Sequence, residues 1–213
     1  MADLPQHRIA EADTLELGKL QQSLLDELLR DCHTYLDEVD DEMVTRAFKF
    51  AYLAHQGVKR ASGEPYYLHP VEVAKIMAVQ FGIDDESVVA ALLHDVVEDT
   101  EITLEEIRTH FGDTVAQLID GLTKIMGVFQ SRNSKQAETF MKLLLSMADD
   151  IRVVLIKFAD RLHNMRTISH LPRQKQLSKA SETLELYAPL AHRLGIVKIK
   201  NEFEDLCFKV MDT

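Results

Sequence analysis

The six apolar residues Val88-Val89-Ala90-Ala91-Leu92-Leu93 run straight into His94-Asp95, and Glu98-Asp99 follow one helical turn later. A segment this apolar reads as buried, so it carries ionisable groups to the edge of a core. Buried charge is costly unless it is paired or bound to a metal. Pairing needs cations, and no Lys or Arg stands between Val88 and Ile107. A divalent metal is the simplest compensation. The stretch therefore reads first as a metal-centred hydrolytic site.

The apolar spacing is helical almost throughout the chain. Leu17, Leu20, Leu24, Leu25, Leu28 and Leu29 form a stripe in a first helix. Asp40 or Asp41 can cap a second helix carrying Met43, Ala47, Phe48, Ala51 and Tyr52, with Gly57 as its stop. Ser62-Gly63-Glu64-Pro65 is a turn signal, so a loop or small β-hairpin is expected near residues 58–68. Pro70 suits the first turn of a helix running to about Phe81. Asp84 or Asp85 caps the next, which is expected to end near Val97. Thr103-Leu-Glu-Glu106 is a capping box opening a short helix that ends by Gly112. A further helix is expected from about Thr114 to Ile125. Gly127 to Lys135 is polar and without period, and reads as a mobile loop. Helices are expected from Gln136 to Met147, from Asp150 to about Ser169, and beyond Pro172 to about Leu190. A last amphipathic helix follows Gly195. The fold class expected is all-α.

With 213 residues, 46% hydrophobic and 28% charged, the chain can bury a core as one large domain or two small ones. The formal net charge of −11 argues against direct nucleic-acid binding, which needs a basic face. It leaves room for an anionic small molecule, because a metal and a few local cations can reverse the field inside a cleft. Cys32 and Cys207 sit in no metal-binding spacing and suit reduced thiols in a cytosol. The first 16 residues do not read as a signal peptide, and no apolar run approaches the roughly 20 residues of a membrane span. A cytoplasmic location without membrane contact is expected.

A second apolar run ends like the first. Val153-Val154-Leu155-Ile156 leads through Lys157-Phe158-Ala159 to Asp160-Arg161-Leu162-His163-Asn164. On a helix Asp160, Asn164 and Thr167 share one face. His69 stands just before Pro70, at the mouth of a third helix. Three buried segments thus each deliver a metal-capable side chain: His69, His94 with Asp95, and Asp160. Two imidazoles and two carboxylates neutralise a divalent ion and leave shell positions for water or substrate. Mixed N/O ligands without thiolate suit Mn2+, Fe2+ or a similar ion. His163 lies close enough to Asp160 to replace one of these ligands, and spacing alone does not choose. Glu98 and Asp99 would crowd a single ion. They are better used to orient or deprotonate the attacking water. The loop Lys59-Arg60-Ala61-Ser62-Gly63 offers cations and a hydroxyl close to His69, and a guanidinium can stack on a base or fork a phosphate. P-loop, zincin, dinucleotide and serine-hydrolase motifs are absent.

Together, SGEPYYLHP at Ser62 to Pro70, LLHDVVEDT at Leu92 to Thr100 and KFADRLHNMRT at Lys157 to Thr167 closely resemble the RelA/SpoT-homologue family, in its amino-terminal HD hydrolase domain. YAPLAHRLGI at Tyr187 to Ile196 is similar to the stretch joining that domain to a synthetase. The resemblance implies an HD-superfamily helical fold. It also implies hydrolysis of guanosine tetra- or pentaphosphate, (p)ppGpp, at the 3′-pyrophosphate, with one Mn2+ as cofactor. It implies His69, His94, Asp95 and Asp160 as metal ligands, taking Asp160 over His163. Glu98 and Asp99 become the catalytic pair. Arg60, Ser62, Asn164 and Thr167 become the guanosine- and ribose-binding positions. Position 61 is often basic in the family, and here it is Ala61.

The resulting expectation is a hydrolase domain over 1–190 and the start of a linker helix over 191–213, regulated by a synthetase domain absent from this chain. Leu194 to Phe208 has nothing after it to cover its apolar side, which suggests a chain cut at a linker or a partner-binding end. Two other function classes fit the same residues: an HD phosphohydrolase of another nucleotide, and a non-catalytic alarmone-binding domain. A substrate panel and a metal-dependent turnover assay separate them.

Overall fold

The computed structural model describes residues 11–130 and 150–212, and the side chains of these apart from 125–130. Its helices are α1 (Lys19–Tyr35), α2 (Asp41–Ala54), α3 (Leu68–Ile76), α4 (Asp85–Leu93), α5 (Val96–Asp99), α6 (Leu104–Gln130), α7 (Ile151–Arg166), α8 (Arg173–Glu182), α9 (Ala188–Arg193) and α10 (Val197–Met211). No sheet occurs among the described residues. The only β feature there is one antiparallel bridge, Lys59 to Pro65, so the region expected as a loop or hairpin is a tight turn. The all-α expectation holds. The chain divides into two compact units, residues 1–124 and 125–213.

In the first unit, α4 is the centre. Every residue from Ser87 to Leu93 is buried, so the helix is apolar all round, as a helix covered by its neighbours must be. It packs against α2 and α3. Its two adjacent valines are weak helix formers, and the start is fixed instead by Asp84, whose carboxylate accepts the Ser87 N–H at 2.7 Å. Burial of each Val or Leu side chain adds about 1.5–3 kcal/mol. The Asp85 carboxylate also accepts the Asp40 N–H at 2.7 Å, tying the start of α4 to the start of α2. Asp40 itself caps α2 by accepting from Met43 N–H at 2.9 Å. In α1, the predicted stripe buries Leu25 and Leu28, while Leu20 is exposed.

Several boundaries differ from the sequence reading. α2 ends at Ala54, with His55 as its C-cap, rather than at Gly57. α3 begins at Leu68 and passes into a π-helix over Met77–Phe81, closed by Gly82 in the left-handed region. α4 ends at Leu93 rather than near Val97, because His94 and Asp95 form a turn before α5. The capping box forms as expected: Thr103 N–H donates to Glu106 Oε2 at 2.8 Å and Glu106 N–H to Thr103 Oγ1 at 3.3 Å. Gly112, at φ +88°, makes the predicted break inside α6. Beyond it, α6 runs to Gln130, so Gly127 to Gln130 are helical and not part of a loop. One glycine costs a helix only about 1 kcal/mol, and no proline stops it. The rest of that expected loop and the helix expected over Gln136 to Met147 fall on residues 131–149, outside the described residues.

In the second unit, Asp150 caps α7 by accepting the Arg152 N–H at 2.9 Å. The Arg152 guanidinium bonds the same carboxylate and holds it below the usual Asp range. Pro172 precedes α8, which continues through a π-helix, Thr183–Tyr187, into α9. One apolar face of α10 is covered, while Val197, Phe208 and Met211 remain exposed. The helix packs against α7, α8 and α9 and buries Ile199, Phe203, Cys207 and Val210. Phe203 meets Phe158 of α7 edge-on at 5.9 Å and Tyr187 at 6.1 Å.

Candidate metal centre

The first unit brings three of the predicted ligands together. Donor atoms of His69, His94 and Asp95 all lie within 4.8 Å of one another. His69 is the second residue of α3, set by the turn before it, where its N–H donates to the Tyr66 carbonyl at 2.9 Å. His94 and Asp95 occupy the turn between α4 and α5. Both imidazoles are buried, and Asp95 is half-buried.

The donor chemistry fits a divalent cation. His94 Nδ1 lies 2.8 Å from the Ala91 carbonyl oxygen. A carbonyl only accepts, so this nitrogen carries a proton, and in the neutral imidazole Nε2 keeps its lone pair. That Nε2 is buried. It stands 3.1 Å from Asp95 Oδ1, while His69 Nε2 stands 3.8 Å from Asp95 Oδ2. A lone pair facing a carboxylate oxygen at that range is repulsive unless a proton or a metal ion lies between them. The ring centroids of His69 and His94 are 5.3 Å apart and nearly perpendicular, which aims two nitrogens at one point without stacking.

Two residues that the sequence reading did not single out border the cluster. The Tyr66 hydroxyl donates to Asp95 Oδ2 at 2.7 Å. Burial, then the negative charge of Asp95 and the hydrogen bond to it, push the Tyr66 phenol well above the usual tyrosine range, so it stays protonated. His55 is buried with its ring 4.6 Å from that of Tyr66. Burial lowers its pKa more than Asp95 and Asp99 raise it, so it stays neutral. The signal for Tyr66 in the sequence is the tyrosine pair Tyr66-Tyr67 after the Ser62-Gly63-Glu64-Pro65 turn, just before His69.

Glu98 and Asp99 lie on the short helix α5 and are exposed. The Asp99 N–H donates to the Asp95 carbonyl at 2.9 Å, so the acidic pair follows Asp95 by one tight turn. Arg60 and Ser62 lie in the turn before α3. Arg60 N–H donates to the Glu64 carbonyl at 2.9 Å, and Gly63 takes φ +87°, which a side chain would oppose. The Ser62 hydroxyl donates to Glu64 Oε2 at 3.1 Å.

The remaining predicted residues belong to the second unit. Asp160, Asn164 and Thr167 follow one face of α7 and its C-cap, as the spacing predicted. Asp160 Oδ1 accepts from Asn164 Nδ2 at 2.6 Å, and Lys157 Nζ stands 3.3 Å from Oδ2. The Thr167 hydroxyl donates to the His163 carbonyl at 2.9 Å.

Residues 47–197 match the HD domain family. The motif resemblance is borne out by curated relatives. The chain is 49% identical over 189 residues to guanosine-3′,5′-bis(diphosphate) 3′-pyrophosphohydrolase of Vibrio cholerae serotype O1, covering 88% of this chain and 27% of that one. It is 48% identical over 179 residues to the bifunctional (p)ppGpp synthase/hydrolase SpoT of Escherichia coli, covering 84% of this chain and 25% of that one. The chain thus spans about a quarter of the length of these relatives. Its fold is similar to the solved structure of a metazoan ortholog of SpoT that hydrolyses ppGpp. That likeness has a TM-score of 0.56 at 23% identity and covers 81% of this chain and 97% of the other.

Proposed function

This chain belongs to the HD-domain family, and on that premise we propose that it is a divalent-metal-dependent hydrolase that removes the 3′-pyrophosphate of (p)ppGpp. The carrying observation is the His69–His94–Asp95 cluster, whose donor atoms lie within 4.8 Å of one another, with the buried His94 Nε2 3.1 Å from Asp95 Oδ1. The names of the relatives supply the substrate class. In the reaction a water oxygen bonds to phosphorus, the bond from the ribose 3′-oxygen to phosphorus breaks, and that oxygen is protonated. The products are pyrophosphate with GDP or GTP.

His69, His94, Asp95 and Asp160 would hold the ion; this mixed N/O set suits Mn2+, Fe2+ or a similar ion, and Mn2+ is the one the family resemblance implies. When bound, such an ion lowers the pKa of water and stabilises charge on phosphoryl oxygens. The protein supplies the rest. Glu98 and Asp99, exposed beside Asp95, take the proton of the attacking water and return one to the 3′-oxygen. Arg60 stacks on the base, Ser62 supports it, and Asn164 and Thr167 hold the ribose. Residues 1–190 would work as the hydrolase domain and 191–213 open the linker towards a synthetase domain that regulates it. No described helix is long and apolar enough to cross a membrane.

Incubating the purified chain with ppGpp and Mn2+ tests the proposal. GDP and pyrophosphate in equal amounts, at a rate well above that for adenosine analogues, are expected. Binding of ppGpp without turnover in the Mn2+-loaded protein would reduce it to an alarmone-binding domain. Equal rates on unrelated nucleotides would remove the alarmone assignment.

A further inference from the structure

The two oxygens of Asp95 have different neighbours. Oδ1 lies 3.1 Å from His94 Nε2. Oδ2 accepts the Tyr66 hydroxyl at 2.7 Å and stands farther from its imidazole neighbour, 3.8 Å from His69 Nε2. Adjacent ligands of an octahedral ion with bonds of about 2.1 Å stand about 3 Å apart. Oδ1 and Nε2 already have that separation, whereas Oδ2 has a donor on one of its lone pairs.

We propose that Tyr66 is a positioning residue for the metal: by engaging Oδ2 it turns Oδ1 alone toward the ion. Asp95 then binds through one oxygen rather than two, which leaves a shell position for water or substrate. The proposal rests on the metal-dependent reading above.

Tyr66 is well held for this task. Its N–H donates to the Val58 carbonyl at 2.9 Å, closing the turn, and its carbonyl accepts the His69 N–H at 2.9 Å. Its ring lies between two imidazoles, tilted against His55 at 4.6 Å and edge-on to His69 at 6.1 Å. A swing of the hydroxyl away from Asp95 would displace one or the other. The same residue that places His69 at the start of α3 thus sets the oxygen that Asp95 presents. Partners of this kind orient the ligands of metal sites and tune their affinity.

Tyr66→Phe keeps the ring and removes only the hydroxyl. Mn2+ is titrated calorimetrically into metal-free wild type and variant, with no substrate present. The variant should bind Mn2+ about 10- to 100-fold more weakly, and excess Mn2+ should restore its kcat. Equal affinities would overturn the proposal. A kcat that excess Mn2+ does not restore would overturn it too, by making Tyr66 a packing residue or a participant in the chemistry. A wild type that takes up no Mn2+ would overturn the metal reading itself, and is distinguished because both proteins then give no binding heat.

Discussion

His94 Nδ1 sits 2.8 Å from the carbonyl oxygen of Ala91, one turn back on its own helix. The backbone of α4 therefore selects the Nδ1–H tautomer of the neutral imidazole and leaves Nε2 as an electron-pair donor. On the proposed metal reading, the fold prepares this ligand before any ion arrives. Loss of a hydrogen-bond partner of a ligand alone weakens metal sites about 10–100-fold. Loss of a ligand should exceed that. His94→Ala and Asp95→Ala should each lose Mn2+ and turnover together, as read by metal analysis and product assay. Chelator should lower the melting temperature of the wild type but not of these variants. An ion present at 100 times its Kd adds about 2.7 kcal/mol to stability. Full activity at nil metal content would sink this reading.

Glu98 occupies a different position. It is exposed on α5, beyond the three-residue cluster. Glu98→Gln should keep the metal and lose turnover by roughly 10²-fold or more, the usual scale for removal of a general acid or base. Metal lost from the Glu98 variant and retained in the Asp95 variant would reverse the division of roles.

The site was legible in the sequence where a residue's chemistry conflicts with its surroundings. His94-Asp95 after six apolar residues is such a conflict, and the structure brings both to His69. Residues that relieve no conflict of their own left little trace. Tyr66 is an ordinary turn aromatic by pattern, and its bond to Asp95 spans 29 positions. Caps were legible because they are local: Asp40, Asp84 and Thr103 all accept or donate within three residues. The end of α4 was not. The periodicity continues through Val96 and Val97, and only the turn at His94 and Asp95 interrupts it. The covered face of α10 was also illegible, because its partners α7, α8 and α9 are set by tertiary packing.

Substrate choice should depend on Arg60. The turn that carries it is fixed by the Arg60–Glu64 and Gly63–Arg60 backbone bonds, both 2.9 Å. A guanidinium stacked on guanine acts equally in the ground and transition states. Arg60→Ala should therefore raise KM for ppGpp more than it lowers kcat. An unchanged KM in steady-state assays would remove Arg60 from the binding site.

The two thiols predict a loss of stability at alkaline pH. Burial foremost, with Asp31, Asp85 and Asp41 adding to it, pushes Cys32 up to about 12. Burial outweighs the Thr183 hydrogen bond and pushes Cys207 up to about 11. Unfolded thiols ionise near 9.0. Between there and about 11 the unfolded chain releases these protons and the folded chain keeps them. The folded state then binds more protons, so stability falls as pH rises through 9 and is fully present below it. The urea midpoint should fall more steeply between about pH 9 and 11 (the window between the unfolded value and the lower folded one) in wild type than in a Cys32→Ala, Cys207→Ala protein. Identical slopes would contradict this. Neither thiol should react with a disulfide reagent at neutral pH until the chain unfolds.

The last prediction concerns α7, the helix that carries Asp160. Next to Asp160, the buried Arg161 guanidinium donates from Nη2 to Glu182 Oε2 at 3.0 Å and to the Tyr187 hydroxyl at 3.1 Å. It also lies 4.2 Å above the Tyr187 ring. The two partners of this ion pair are not equivalent. Arg161 is enclosed, whereas the Glu182 side chain is 28% exposed. Glu182→Ala leaves an enclosed cation hydrogen-bonded to the neutral Tyr187 phenol, and breaking a buried pair this way costs about 3–5 kcal/mol. Arg161→Met fills the space with an apolar chain and leaves a carboxylate that water can reach, so it should cost about 1–2 kcal/mol. Urea unfolding of the two variants reads the difference. The expected order is Glu182→Ala less stable than Arg161→Met. The opposite order would mean that Arg161 contributes mainly through its stacking on Tyr187 and not through its charge.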